Sequence, residues 1–503
     1  MKGPLVSAQR IAVIGAGWAG CAAAVALCDA GHQVTVFEAA RTPGGRARAV
    51  TVKGAQGNAG VTVDNGQHIL LGAYAATLAM LARVGIARRH AFLTLPLQMR
   101  YAPADGDGGM DFVAPRLPAP LHLALALLRA KGLRRADKLA LARFSTTARW
   151  MDWTLHHDCS VAELLERFDQ SARLTALMWR PLCLAALNTP PERASAQVFL
   201  AVLRDSLGAH RAASDMLLPR LDLSALFPLA AARYLEQRGG IVHLGAAVRT
   251  LAPAAASAGN ADNAGNAGNA HNVGAAGTAG RGWLVDDAHF DGVVLATAPT
   301  AAAALLPPGL DGLRAQLNDF TFEAITTCYL QYDRQTTLPL PFCALQDDVA
   351  HGKYGQFVFD RGQLDGAQAG LLAVVISASA AGPAAAANLD QAALARLLAA
   401  QLAEVFGMAA LATPQWHQVI TDKRATFACR PALARPANAS GLPGLVLAGD
   451  YTAGDYPATL ESAVRSGVQA AGLFGVVGNA AVAGVIGLPG AASDAGRRAG
   501  TAP

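Results

Sequence analysis

IAVIGAGWAGCAAAVALCDAGHQVTVFEA, Ile11 to Ala39, is an apolar run, a glycine turn, an alanine-rich segment closed by Gly31, and a second apolar run ending at Glu38. This punctuation predicts strand, turn, helix and strand, a complete βαβ opening. Gly15, Gly17 and Gly20 form GxGxxG at the join of strand and helix. Such glycines let the backbone turn tightly, approach a pyrophosphate and pack the helix closely. Glu38, eighteen residues after Gly20, stands where it can accept from a ribose hydroxyl. An acid there suits an unphosphorylated ribose, hence FAD or NAD rather than NADP. A GxGxxG alone also fits a ligand-free glycine turn, but strand, helix and terminal acid in one unit favour a dinucleotide.

RTPGGRARA, Arg41 to Ala49, follows at once. Gly44 and Gly45 permit close backbone approach, and Arg46 and Arg48 can offset phosphate charge, although a plain loop carries such residues too. Taken with the βαβ unit, this run resembles the flavin-containing amine oxidase and carotenoid desaturase superfamily, where a GGR loop follows the ribose acid near the flavin. The resemblance implies FAD as the cofactor. LAGDYTAGDYPATLESAVRSG, Leu447 to Gly467, resembles the superfamily's C-terminal flavin motif. That likeness implies that Gly449 and Asp450 contact the pyrophosphate–ribityl region and that the following helix starts near the isoalloxazine. Gly449 permits approach, Asp450 can accept hydrogen bonds, and N–H groups from Ala458 through Thr459 to Leu460 can face a flavin carbonyl. Val248, in HLGAAVRTL read as a strand, matches the position whose backbone touches the adenine.

Three further blocks narrow the resemblance: DNGQHILLGAY (Asp64 to Tyr74), WRPLCLAALNTPPERASAQVFL (Trp179 to Leu200) and KRATFACRPAL (Lys423 to Leu433). They are similar to the squalene-associated branch, the hydroxysqualene dehydroxylases of bacterial hopanoid synthesis. The likeness implies removal of the hydroxyl of a C30 isoprenoid alcohol to give squalene, with hydride from reduced FAD. Such chemistry needs an acid to help the hydroxyl leave, an apolar tunnel and exclusion of water. Asn65, Gly66, Gln67 and His68 are expected beside the flavin, with Ile69 to Leu71 entering an apolar wall. His68 is the candidate acid, since imidazole changes charge near neutrality; a structural hydrogen-bonding role fits it as well. Asp455 and Tyr456 can reach the flavin face or merely cap a helix. Arg180 and Asn188 can orient substrate, or form a salt bridge and a helix-end cap. Cys429 reads as buried and free.

The expected fold class is α/β: a discontinuous Rossmann-like FAD-binding domain (1–80, 226–300, 420–475) with a second, α+β substrate domain (81–225, 301–419), amine oxidase/phytoene desaturase-like. Met80 to Phe227 reads as mostly helical, and the ITTCYLQY, QFVFD and LLAVVISAS runs as a sheet roofing a cavity. The Ala/Gly/Asn tract at 253–280 has too little bulk to pack and reads as a flexible excursion between strands. Residues 476–503 form a tail. The tract and the tail lie outside the resemblance.

Bulk properties restrict the rest. The chain has 503 residues, 52% hydrophobic and 15% charged, with a mean hydropathy of +0.28, enough for two or three domains with large cores. A net charge of +5 without a sustained basic stripe or recognition motif argues against nucleic acid. Seven cysteines without a CxxC pair fit a reducing compartment and neither a disulfide framework nor a metal site. MKGPLVSAQR lacks an apolar h-region, so a cytoplasmic location is expected. Leu117 to Lys138 sets an apolar helix before Arg129, Lys131, Arg134, Arg135 and Lys138; it reads either as a peripheral dock on the inner face of the cytoplasmic membrane or as a packed helix with a solvated basic face. Ser466 to Ser493 is uncharged and long enough to span a bilayer, but its glycines and Pro489 weaken that reading. No second nucleotide motif is apparent, so a reductive enzyme needs an unidentified electron donor. Running the same flavin the other way makes a carotenoid desaturase or amine oxidase, and a flavin-bound scaffold for isoprenoid enzymes is the non-catalytic alternative.

Overall fold

The computed structural model describes residues 5–54, 60–101, 109–254, 282–382 and 385–477. Arg10–Ile14 and Gln33–Glu38 are parallel neighbours joined by the Trp18–Asp29 helix. That helix is apolar on nearly every side, and such a helix must be enclosed; Ala22, Ala23, Ala24, Val25 and Leu27 are fully buried. The sheet has five strands. Ile241–Leu244 pairs with Gln33–Glu38, Gly292–Leu295 with Arg10–Ile14, and Leu445–Leu447 with Gly292–Leu295, every pair parallel. The Leu460–Gly472 helix packs on Trp18–Asp29 at Gly467, where a Cβ would stand 2.2 Å from the Ala19 carbonyl oxygen.

A second five-stranded sheet is antiparallel, with Leu371–Ser377 at its centre and Phe322–Gln331 between it and the edge strand Trp416–Phe427. Phe357–Asp360 and Phe342–Ala344 complete it. Cys328, Leu330 and Val374 pack one face against Leu398 of the Gln391–Phe406 helix. The alternate residues Tyr329, Phe357, Phe359 and Val375 form a different cluster on the other face, as a period of two requires. Ile325, Phe342, Phe357, Phe359 and Val375 line a large cavity, so this sheet is its roof. The division expected at residue 420 cuts through Trp416–Phe427, a single strand paired along its length with Phe322–Gln331.

Residues 80–227 are less helical than their pattern suggests. Helices Leu121–Arg129, Arg135–Trp150, Val161–Arg167, Arg180–Leu187 and Ala196–Leu203 are present. However, Met216–Pro219 lies antiparallel between Leu70–Leu71 and Phe92–Leu95, and Gln98–Arg100 pairs with Asp111–Val113. Segments of two to four residues are too short for periodicity to tell strand from helix. Val248 corrects a second expectation: it lies in a loop, because the strand ends at Leu244 and Gly245 turns the chain at φ +71°. The N–H groups of Gly245 and Ala246 then donate to the carbonyls of Ala40 and Glu38.

Leu251–Pro253 and Trp283–Val285, which flank the Ala/Gly/Asn tract, pair antiparallel; the tract from 255 to 281 lies outside the described residues. Of the spanning segment considered, Ser466 to Ser493, the first part is the end of the Leu460–Gly472 helix and the Val476–Val477 strand, which pairs parallel with Leu5–Val6; the rest, with the tail beyond 477, lies outside the described residues. No described helix is long and apolar enough to cross a membrane.

The helix contact yields a test with opposite signs at two glycines. Gly467→Ala should cost about 1–3 kcal/mol through overpacking. Gly472→Ala, where a Cβ meets nothing within 4 Å, should gain about 0.4–1 kcal/mol by restricting the unfolded chain. Denaturant unfolding of both variants checks the contrast.

Candidate active site

The cavity, of about 1630 Å³, begins at the carboxyl ends of all five parallel strands. Glu38 ends one strand, and Gly15, Val248, Ala296 to Ala298, and Gly449 with Asp450 follow the other four; each lines the cavity. Open α/β sheets bind ligands at these ends. Away from the sheet the lining turns apolar, through Leu97, Phe112, Leu127, Leu141, Phe144, Met178, Trp179, Leu182 and Leu203. Ligand pockets commonly measure about 300–1,000 Å³, so one cavity has room for a dinucleotide and a second, hydrocarbon ligand.

At the sheet end the backbone itself forms the wall. Gly15 has φ +105°, and a Cβ there would stand 2.6 Å from the Ala296 carbonyl oxygen. Gly17 bridges Gly44, and a Cβ on Gly45 would come within 3.2 Å of the Gly17 Cα. The helix that starts at Trp18 has no side-chain cap and no acid in its first turn, so its free N–H groups suit an anion. Gly20 does not line the cavity. Its bare Cα lets the helix press on the Gly15 carbonyl, which a Cβ would meet at 1.9 Å. The Glu38 carboxylate accepts from the N–H of Ala16 at 2.7 Å and of Ala40 at 2.8 Å. Each oxygen keeps a lone pair for a ribose hydroxyl.

Arg46 is engaged differently from the expected phosphate contact. Its guanidinium donates to Asp450 Oδ1 at 2.6 Å and to the Ala425 carbonyl at 2.8 Å. The two halves of the cofactor motif are thus joined by an ion pair. Asn65 secures the same loop: its Nδ2 donates to the Arg46 carbonyl and its Oδ1 accepts from Arg48 N–H at 3.1 Å. Thr459 caps the Leu460–Gly472 helix, accepting from Ser462 N–H at 3.1 Å, and its own N–H faces Ser462 Oγ rather than a flavin carbonyl. Gly66, Gln67, His68 and Thr459 all line the cavity.

Gln67 is oriented by Arg361, whose Nη1 donates to Gln67 Oε1 at 3.2 Å. A guanidinium can only donate, so the amide nitrogen must face elsewhere; it is buried without a protein partner, as are the Thr297 and Tyr451 hydroxyls. All three residues line the cavity. Orphaned buried polar atoms call for partners, and a flavin rich in ring nitrogens, carbonyls and ribityl hydroxyls meets that demand. His68 Nδ1 lies 2.7 Å from the Gly66 carbonyl, so it carries the proton and leaves Nε2 as the acceptor. Burial lowers this imidazole below its usual value, opposed by the Gly66 hydrogen bond, so His68 is uncharged at neutral pH.

Two supports of the site were not singled out from the sequence. Arg435 donates to the carbonyls of Asp450, Tyr451, Gly454 and Tyr456, clamping the loop after the GD pair. Glu461, fully buried, accepts from Arg465 and from the N–H groups of Ala76 and Thr77 at the start of the Ala75–Arg83 helix. Of the open alternatives, Tyr456 lines the cavity with its hydroxyl donating to Asp205 at 2.6 Å, whereas Asp455 is exposed and pairs with Arg204. Arg180 forms a salt bridge with Asp347. Asn188 ends its helix at φ +47° and binds Thr426 Oγ1 and Ala378 N–H. Cys429 is buried and free, its thiol pushed up to about 12 by burial.

Residues 18–473 match the model of the flavin containing amine oxidoreductases. The chain belongs to that family. As a flavin containing amine oxidoreductase it is an oxidoreductase, and its cofactor is FAD. It is 31% identical to a hydroxysqualene dehydroxylase of Rhodopseudomonas palustris over 94% of this chain and 100% of the relative. A hydroxysqualene dehydroxylase of Sinorhizobium fredii is 30% identical over 92% of this chain and 98% of its own. A probable zeta-carotene desaturase of Synechococcus elongatus is 26% identical over 48% of this chain and 51% of its own. The solved fold of an oxidoreductase from Methanosarcina mazei superposes with a TM-score of 0.66 at 16% identity, covering 92% of this chain and 99% of that one. A putrescine oxidase superposes with a TM-score of 0.62 at 17% identity, over 93% and 99%.

Two expectations follow from this geometry. Glu38→Ala removes the acceptor offered to the ribose and strands two backbone N–H groups; at about 1.5–3 kcal/mol per charge-assisted bond, FAD should dissociate at least tenfold more readily, as read by flavin absorbance after gel filtration. Asp64 is buried, and desolvation, opposed by the Leu223 hydrogen bond and by Arg361, pushes its carboxyl up to about 7. The folded state therefore holds a proton that the unfolded chain releases above about pH 4. Stability should fall as pH rises from about 4 to 7, by up to about 1.4 kcal/mol per pH unit. Asp64→Asn should flatten that dependence in urea melts.

Proposed function

We propose that the protein is a hydroxysqualene dehydroxylase. It removes the hydroxyl of a C30 isoprenoid alcohol reductively to give squalene, working peripherally on the cytoplasmic face of the membrane. The observation that carries this reading is similarity along nearly the whole chain to proteins of that name. In the proposed reaction the C–O bond breaks, a proton joins the departing hydroxyl to make water, and a hydride replaces it on carbon. Bound FAD in its reduced form supplies the hydride, its two electrons coming from a donor outside the chain. The apolar walls, among them Leu127, Phe144, Trp179 and Leu203, take up the hydrocarbon and keep water from the electron-poor carbon.

His68 is the proposed proton donor, acting at Nε2, which its Gly66 hydrogen bond leaves directed away from the backbone. Because burial lowers its pKa, the protonated form is a minor one at neutral pH. A His68 acid therefore makes the rate rise as pH falls toward its pKa. The likeness to a zeta-carotene desaturase over about half of the chain supports a second reading, in which the same site takes hydride from a polyene.

Holoprotein with chemically reduced flavin, given hydroxysqualene without oxygen, should form squalene. Desaturation of a polyene by the oxidised holoprotein, without squalene formation, would overturn the reading in favour of the second, and absence of any turnover would leave a flavin-bound scaffold. His68→Asn should lower kcat by about 10²–10⁴-fold, the usual contribution of a positioned acid or base, and remove the acid-side rise. An unchanged pH profile would make His68 a structural group.

A further inference from the structure

We infer that the helices Leu121–Arg129 and Arg135–Trp150 seat the protein on an anionic lipid leaflet, and that the cavity opens into the leaflet between them. The inference rests on the isoprenoid reading only for what passes through this opening. Leu121, Leu128, Leu139 and Trp150 are 58%, 72%, 66% and 87% exposed. They make up four of the ten exposed large hydrophobic residues identified among the described residues, gathered within thirty positions of the chain. Scattered apolar side chains are ordinary on a soluble surface, whereas a gathered set marks a contact.

Charge separates a lipid surface from other occupants. Between Arg116 and Trp150 lie eight Lys or Arg and one acid, Asp137, a net charge of +7 in a chain whose total is +5. Asp137 is buried, accepting from Arg134 N–H and Ser171 Oγ, so it does not temper the surface. Arg129, Lys131, Arg135, Arg143 and Arg149 are exposed, and none of them forms a salt bridge among the described residues. Apolar side chains to enter the acyl region, rimmed by cations for phosphate headgroups, are the pattern of an interfacial helix. A second copy of the chain would set this charge against itself across a two-fold axis, which is repulsive.

The surface is continuous with the site. Leu128, Lys138, Leu139 and Arg149 belong both to this face and to the cavity lining, with Leu123, Leu127 and Leu141 deeper along the same wall. Lys138 Nζ donates to the Leu128 carbonyl at 2.8 Å, tying the second helix to the end of the first. A hydrocarbon leaving the leaflet here passes from acyl chains to apolar side chains without meeting water.

Flotation of the holoprotein with vesicles tests the seat without any turnover, so its outcome is separate from that of the proposed reaction. Wild type should float with phosphatidylcholine vesicles containing phosphatidylglycerol, far less with phosphatidylcholine alone, and lose binding in high salt. Leu121→Ser with Trp150→Ser, neither of which lines the cavity, should cut binding at least tenfold. Arg129→Gln with Lys131→Gln and Arg135→Gln should cut it roughly a hundredfold. Flavin content and thermal midpoint should stay at wild-type values in both variants. A fluorescent label on Leu128→Cys should be quenched by brominated lipid, which places the opening in the leaflet; quenching by aqueous iodide alone overturns that part. The seat itself is overturned if wild type ignores anionic vesicles, if the variants bind like wild type, or if the apolar variant only converts a dimer to a monomer.

Discussion

Gly17 and Gly45 lie backbone against backbone, and no residue with a side chain can stand at Gly45 without pressing on its partner. This contact brings the turn of the βαβ unit onto the loop after its second strand, with Gly44 N–H donating to the Ala16 carbonyl at 2.8 Å. The Ala16 N–H in turn binds Glu38, so the acid, the turn and the loop form one rigid rim. From that rim Arg46 reaches Asp450, and Asn65 holds Arg46 and Arg48 from behind. Segments 404 positions apart are thereby held together, in an arrangement that suits a long dinucleotide.

The cavity must satisfy two ligands with opposite demands. Its sheet end offers backbone N–H groups, a carboxylate and orphaned side-chain donors, which suit phosphate, ribose and flavin. Its far end is hydrocarbon, which suits an isoprenoid and repels water. The DNGQH segment lies at the change from one to the other, and its polar groups are individually accounted for. Asp64 is buried beneath the site with Leu223 N–H, Asn65 binds the loop, Gln67 is aimed by Arg361, and His68 is held by Gly66. The apolar residues that follow, Ile69 and Leu71, line the cavity. The amides and the imidazole that precede this apolar run therefore each have a partner within the protein.

Legibility in the sequence followed the range of each interaction. The βαβ unit and the helix that follows the GD pair depend on local period and punctuation, and they were readable. The strands Phe92–Leu95 and Met216–Pro219 were not, because they exist only by pairing with each other and with Leu70–Leu71. Val248 shows the same limit at a single residue. The loop at Val248 is set by hydrogen bonds to Ala40 and Glu38, whereas the close packing of the helix at Gly20 was legible from its glycine pattern. Arg435 lies in no motif, and Glu461, although inside the C-terminal one, is given no role by it, since a clamp or a cap is defined by the distant backbone groups that it meets.

The sequence by itself determined the dinucleotide turn, the acid at the end of the second strand, the family resemblance and the gathering of basic and apolar residues around Leu117 to Lys138. Each of these is a pattern of neighbours along the chain, and short-range sterics and periodicity translate it directly. Only the tertiary structure decided that Arg46 is paired with Asp450, that Gln67 turns its amide nitrogen from Arg361, and that exposed Leu128 and Leu139 line the same cavity that begins at Glu38. Those facts depend on distances between residues far apart in the chain, which packing sets and no local pattern encodes.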